Sequence, residues 1–278
     1  MAVFLGLITA VCFGSGDFFG GLSAKKTSVL YVVGFSHLVG LIGVVVLAPF
    51  LADAFTWRDF GIGAISGSLG GLGVILLYRG LAKGPMAVVA PLTAIMSAAV
   101  PALWGVATGD SLSGLAWAGI VVALIAIALA SMPAESDGAQ VTPRAIGEAL
   151  LAGVGFGGMF VLLDATADAT APWPVVGARV LTTTLLLAVI FGAKRSGLPT
   201  VRPALGLIVL AGLFDTGSNV LFLFAANIGD LSIVAVLSSL YPVSTVVLAR
   251  LWLNERMSQL QLGGLSLAVL ATVLIAAG

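Results

Sequence analysis

Charged side chains inside long apolar stretches are the residues of this sequence best suited to chemistry. Asp215 lies about 12 residues into an apolar stretch, 203–226, and Asn219 follows it one helical turn later. Ionisable groups are expensive to bury in a bilayer, and they usually face a cavity or a partner. We therefore expect Asp215 to bind a substrate ammonium group or a proton. A hydrogen bond to a neighbouring helix is the structural alternative.

Four other charges and the single histidine also lie within apolar stretches. By depth they form two groups: Asp17, His37 and Arg79, then Asp164 and Arg179. Each group contains both signs, so ion pairs could offset the cost of burial. We expect Asp17 and Arg179 to line a substrate path, and Asp164 with Arg179 to form a possible gate. Static pairing or snorkelling of Arg79 and Asp164 to a surface is the alternative; His37 is either a proton relay or a neutral packing partner.

Aromatic and sulfur-containing side chains near the middle of the stretches could hold an apolar part of a substrate. Tyr241 precedes Pro242, whose missing N–H frees a backbone carbonyl one turn earlier, and such breaks are tolerated where they line a cavity. Simple packing is the alternative for the other members of this set. These are Tyr78, Met96, Trp104, Phe13, Phe156 and Met159.

These residues lie in segments that are too apolar for a water-soluble protein and fit a membrane. Hydrophobic residues make up 60% of the chain and charged residues 9%, and the mean hydropathy is +1.18. A bilayer core about 30 Å thick needs roughly 20 apolar residues per helix. We therefore predict an all-α integral membrane protein. The predicted helices are 3–21, 29–52, 59–82, 86–107, 112–131, 145–167, 173–193, 203–226, 230–251 and 258–277.

The second five stretches repeat the first five. A shift of 145 residues places Gly67 on Gly212 and Asp110 on Glu255 without a gap between them. An odd number of helices per repeat inverts the second repeat in the membrane, and inverted repeats place a substrate site near the midplane between the halves. We predict ten transmembrane helices as two inverted five-helix repeats around a central cavity. The repeats span 1–131 and 144–278, and 132–143 is a linker loop.

Several short segments carry a family resemblance. They are Leu240-Tyr241-Pro242-Val243, Leu253-Asn254-Glu255-Arg256 and Gly263-Gly264, with Ala90-Pro91-Leu92, Gly109-Asp110 and Gly119 in the first repeat. They resemble the repeat ends of EamA-type members of the drug/metabolite transporter superfamily. The pair Phe13-Gly14 stands where that family commonly has Trp-Gly. The resemblance implies a ten-helix exporter or exchanger of small molecules.

The predicted function is secondary transport by alternating access. A balanced set of buried acids and bases favours export of amino acids or similar zwitterions, and a proton-coupled exporter of organic cations or drugs is the alternative. An intramembrane enzyme is the rival from another class, but one histidine cannot form a His-Glu-x-x-His zinc site. We expect no enzyme activity, cofactor or metal. The expected partners are a small-molecule substrate and the lipid bilayer, without nucleic acid, for a monomer or weak homo-oligomer.

Loop charges predict the orientation. Lys and Arg are concentrated in the odd-numbered loops, whereas the even-numbered loops hold only Arg58. Cytoplasmic loops collect Lys and Arg, so we predict that both termini are extracytoplasmic. Many EamA-type proteins are thought to have the reverse orientation. The expected location is the cell membrane, as a multi-pass protein, which in a bacterium is the inner membrane.

Overall fold

The computed structural model describes residues 1–83, 86–130, 132, 143–192, 201–253 and 258–278. Within these ranges all regular secondary structure is helical. The helices are α1 (Ala2–Ala24), α2 (Val29–Leu51), α3 (Trp57–Lys83), α4 (Met86–Thr108), α5 (Gly114–Ala130), α6 (Pro143–Asp164), α7 (Trp173–Gly192), α8 (Leu205–Ala226), α9 (Leu231–Ser238), α10 (Tyr241–Leu253) and α11 (Gln259–Ala277). Most of the predicted linker and the turn at Glu255 lie outside the described residues.

The lengths and composition of these helices are those of a multi-pass membrane protein. Among the described residues, 8 helical segments are long and apolar enough to cross a membrane. Two shorter apolar segments, Leu92–Thr108 within α4 and Gly114–Ala130 of α5, have 10–17 residues each. The all-α membrane class is thus confirmed, whereas the count of ten spans stays a prediction.

The predicted helix 230–251 is interrupted in the structure. α9 ends at Ser238 and α10 begins at Tyr241, so two residues separate them. The cause is Pro242, which has no N–H to donate to the carbonyl oxygen of Ser238. Around the break the backbone bonds span three residues, and the N–H of Val243 donates to the carbonyl of Leu240 over 3.0 Å. The tighter turn there lies within the candidate membrane span Leu231–Trp252.

Helices from the first half of the chain pack mainly against helices from the second half. α1 contacts α8 and α10, and α6 makes the corresponding contacts with α3 and α4. α7 packs on α3 while α2 packs on α8; α2 also contacts α7, and α5 contacts α11. If each helix is replaced by the helix at the corresponding position of the other half, the same pairs of helices are in contact. Any cavity at the centre is walled by both halves.

Two of these contacts depend on glycine. α3 lies so close to α7 that a Cβ on Gly67 would come within 2.5 Å of the Cα of Ala178. In the same way, a Cβ on Gly212 of α8 would overlap the carbonyl of Ser36 on α2. Small residues let helix backbones approach closely, which increases the van der Waals contact between them. The two glycines are equivalent in the 145-residue register, so both halves use the same device.

The loops that follow the even-numbered predicted helices meet at one end of the bundle, together with both termini. We call it the terminal end. Asp110 accepts hydrogen bonds from the backbone N–H and hydroxyl of Ser232, at 2.9 and 2.6 Å, and so joins the loop after α4 to the start of α9. Asp59 accepts a bond of 3.0 Å from the hydroxyl of Thr170. Carboxylates thus hold the loops of the two halves together at this end.

We predict that Gly67→Ala destabilises the protein by about 1–3 kcal/mol, because the added methyl group overpacks the contact between α3 and α7. Gly61→Ala is the matched control on the same helix, since a Cβ there meets nothing within 4 Å. Thermal unfolding in detergent measures both. Equal melting temperatures for the two variants would contradict the packing account.

Candidate functional site

A buried guanidinium is at the centre of the molecule. Arg179 of α7 donates from Nη2 to Asp215 Oδ2 at 2.7 Å and from Nε to Thr216 Oγ1 at 2.8 Å. Its Nη1 lies 3.3 Å from His37 Nε2. The side chain of Arg179 is 5% exposed, whereas that of Asp215 is 21% exposed. The ion pair therefore has a dry side at Arg179 and an accessible side at Asp215.

The protonation state of His37 follows from its partners. Arginine has no acceptor to offer, so the nitrogen of His37 that faces Arg179 must be the acceptor. The proton is then on Nδ1, which donates to the hydroxyl of Thr182 at 3.0 Å. That hydroxyl donates onward to the carbonyl of Ala178 at 2.9 Å. His37 is thus neutral in this network and anchors Arg179 without changing the charge of the site.

A cavity lies beside this network, and the space in it that water-sized molecules can occupy is about 30 Å³. That is room for about one or two water molecules, so a larger ligand requires the surrounding helices to move apart. The apolar wall and the polar wall of the cavity come from both halves of the chain. The apolar wall is Phe13, Gly70, Val74, Phe156, Met159 and Phe160. The polar wall is Asp17, Ser97, Arg179, Asp215, Asn219 and Tyr241.

Asp17 lines the cavity with a carboxylate that has no partner in the part of the chain that the structure describes. Across the described residues, no side chain or backbone group makes a hydrogen bond or ion pair with it. α1 carries it next to α8, since a Cβ on the preceding Gly16 would lie 3.2 Å from the backbone nitrogen of Asp215. Both carboxylates line the same cavity. Asp17 is therefore the group in the cavity most in need of a cation.

Tyr241 and Asn219 form another polar part of the cavity. Tyr241 is 7% exposed, and within the described ranges its buried hydroxyl has no hydrogen-bond partner. It follows the break between α9 and α10, where Ser239 and Ser97 bring their hydroxyl oxygens to 3.0 Å. Asn219 donates to the backbone carbonyl of Asp215 at 2.7 Å and not to its carboxylate. These groups can bind polar atoms without adding charge.

The structure places the remaining predicted site residues away from the cavity wall. Tyr78 is buried and packs over Gly20, where a Cβ would overlap its hydroxyl. Met96 packs against Gly153 of α6. Trp104 is 52% exposed on the outside of the bundle. Their predicted contact with a substrate has no support in this arrangement of helices.

Two predicted ion-pair partners also lie elsewhere. Arg79 pairs with Glu148 at 3.2 Å, at the end of the bundle opposite the termini. Asp164 is the last residue of α6, and Arg179 pairs with Asp215 instead of with it. Among the described residues Asp164 and Arg179 do not form an ion pair, so the gate formed by these two residues stays a prediction.

Sequence reasoning missed the two threonines that hold the network. The signal was a shift of 142 residues, which superimposes His37 on Arg179. The same 142-residue shift places Gly40 on Thr182, and the 145-residue shift places Gly71 on Thr216. In the structure Gly40 packs against Thr216 and Gly71 packs against Thr182. Each threonine thus fills the space above a glycine and directs its hydroxyl to the buried base. The equivalence of His37 and Arg179 was readable from the repeat.

Comparison with known proteins identifies relatives at two levels. The family model described as "EamA-like transporter family" matches residues 1–132 and again 144–277. A solved structure described as "Crystal structure of protein" superposes with a TM-score of 0.80 at 17% identity, and it covers 99% of this chain and 96% of its own. At that identity the likeness shows the fold alone. Among curated proteins no match is found.

We predict that Thr216→Val lowers the stability of the protein by about 1.5–3 kcal/mol, because the charged Nε of Arg179 loses its acceptor. Thr183→Val on α7 is the matched control, since the buried hydroxyl of Thr183 has no partner among the described residues. The control should melt at or above the temperature of the unchanged protein. Thermal unfolding in detergent decides, and similar losses in both variants would contradict the assigned hydrogen bond.

Proposed function

Because the chain belongs to the EamA-like transporter family, we propose that it is a secondary transporter that carries a small, singly charged amine across the membrane by alternating access. One observation carries the substrate class. Asp17 faces the cavity and has no partner among the described residues, whereas the guanidinium of Arg179 there is already paired with Asp215. The free charge of the site is negative, and an ammonium group is its complement.

This proposal prefers amines, the alternative in the sequence analysis, to amino acids, which the sequence analysis favoured. An amino acid would need a base for its carboxylate as well as an acid for its ammonium group. Each of the three nitrogens of Arg179 already has a protein acceptor, and Asp215 offers the same charge as a substrate carboxylate would. Displacing it would leave a carboxylate without its partner, at a cost of about 3–5 kcal/mol. Amines without a carboxylate avoid this cost.

The apolar wall supports an amine with a hydrophobic body. Phe13 and Phe160 lie with ring centroids 5.8 Å apart, and Phe160 stacks on Phe222 at 4.1 Å. Aromatic faces attract cations and also bury apolar surface. The Phe160–Phe222 stack lies on the terminal-end side of Asp215, because α6 and α8 both run toward that end. We infer that this stack separates the cavity from the terminal end and opens when the halves rock.

The direction of transport constrains the coupling. A membrane potential that is negative inside draws a cation inward by about 2.3 kcal/mol per elementary charge per 100 mV. Export therefore needs an opposing ion, and exchange of one ammonium ion for one proton is electroneutral. Asp17 can hold either cation but not both, so a single carboxylate is sufficient for the exchange. We propose proton-coupled export from the cytoplasm, with the termini outside, an orientation that the positive charge of the odd-numbered loops favours.

We expect proteoliposomes of the unchanged protein to show saturable counterflow of labelled butyltrimethylammonium, whose permanent charge prevents leakage through lipid. Leucine should give none. Asp17→Asn should abolish the counterflow, because the remaining carboxylate, Asp215, is already paired with Arg179.

Asp53→Asn is the matched control, since it makes the same change on an exposed loop at the terminal end. Leucine counterflow in the absence of amine counterflow would favour the amino-acid hypothesis and refute this one. Full activity of Asp17→Asn would remove Asp17 from the mechanism.

A further inference from the structure

The formal charges of the cavity sum to a single negative charge. Asp17 and Asp215 contribute two negative charges and Arg179 one positive charge, while His37 is neutral in its hydrogen-bond network. We propose that Arg179 is a specificity-determining residue: it acts as a built-in cation that occupies Asp215 and so restricts the site to singly charged amines. This inference rests on the proposed function, and it assigns the reason for the charge preference to one residue.

Arg179 has to stay in place when a substrate competes for Asp215. Thr216 and His37 hold its Nε and Nη1, so two neutral acceptors fix the guanidinium in addition to the ion pair. Its side chain is 5% exposed, and an arginine stays protonated at any physiological pH. A substrate ammonium group therefore cannot displace it. The positive charge at this position is permanent.

Asp215 differs from Arg179 because the cavity reaches it. Its side chain is 21% exposed and it lines the cavity, as Asp17 does. Without the guanidinium, two carboxylates on adjacent helices would face the same space. A diamine could then satisfy both with its two ammonium groups. In the unchanged protein the second ammonium group of a diamine would be buried beside an occupied carboxylate, which is unfavourable.

The charge balance can be tested by binding measurements in detergent, where no membrane potential acts on the ligand. The probes are n-butylamine and the diamine putrescine, which share a four-carbon chain and differ by one charge. Equilibrium dialysis gives the dissociation constant of each. The unchanged protein should bind butylamine more tightly than putrescine. In Arg179→Gln the ratio should shift toward putrescine by about tenfold or more, as expected for a gain of about 1.4 kcal/mol.

Two further variants separate charge from structure. Asp215→Asn leaves one acid and one base in the cavity, so binding of both amines should be lost. The double variant Arg179→Gln with Asp215→Asn restores one uncompensated carboxylate, and it should recover the preference for butylamine although Arg179 is absent. Arg58→Gln is the control, since that arginine is 69% exposed at the start of α3. Arg58→Gln should bind both amines with the same dissociation constants as the unchanged protein.

Each outcome bears on one proposal. If the unchanged protein binds neither amine, the proposed function fails and this inference fails with it. If it binds butylamine through Asp17, and Arg179→Gln folds without a shift in the ratio, only this inference fails. If Arg179→Gln does not fold, the double variant decides: a preference for butylamine supports the charge balance, and loss of binding overturns it.

Discussion

A guanidinium buried in the hydrocarbon layer is stable only when it is paired and hydrogen-bonded, and the centre of this molecule is arranged to meet that condition. Arg179 receives its three acceptors from α2 and α8. Since removal of one partner of a buried ion pair typically costs about 3–5 kcal/mol, these contacts join three helices around one side chain. The cavity, its charge and the position of Asp215 all follow from that arrangement.

Close backbone packing makes this arrangement possible. The threonines that hold Arg179 and His37 each lie over a glycine of the neighbouring helix, Gly40 for Thr216 and Gly71 for Thr182. A Cβ on Gly40 would overlap the hydroxyl of Thr216, and a Cβ on Gly71 would lie 3.0 Å from the methyl carbon of Thr182. Thr216 over Gly40 holds Arg179, and Thr182 over Gly71 holds His37. His37 is neutral and Arg179 is charged, so the two sides of the network differ in charge.

Much of the fold was predictable because apolar length marks each helix. The same patterns placed Asp215 and Asp17 in the interior, since a charge in the middle of a span has to face protein. The depth of a residue in the membrane does not show how its helix is rotated about the helix axis. Arg179 was therefore assigned to Asp164 when its partner is Asp215, and Trp104 was expected inside although it faces outward. Pro242 interrupts its helix, whereas α4 continues through Pro101, so a proline in the sequence does not by itself show where a helix breaks.

The central claim is that the ionised carboxylate of Asp17 holds the ammonium group of the substrate. Infrared difference spectroscopy of the purified protein, with and without n-butylamine, tests it directly. We expect the amine to shift the stretching bands of one ionised carboxylate, and we expect that difference signal to vanish in Asp17→Asn and to persist in Asp53→Asn. A difference spectrum that is unchanged in Asp17→Asn would contradict the account, because the ammonium group would then lie against another residue.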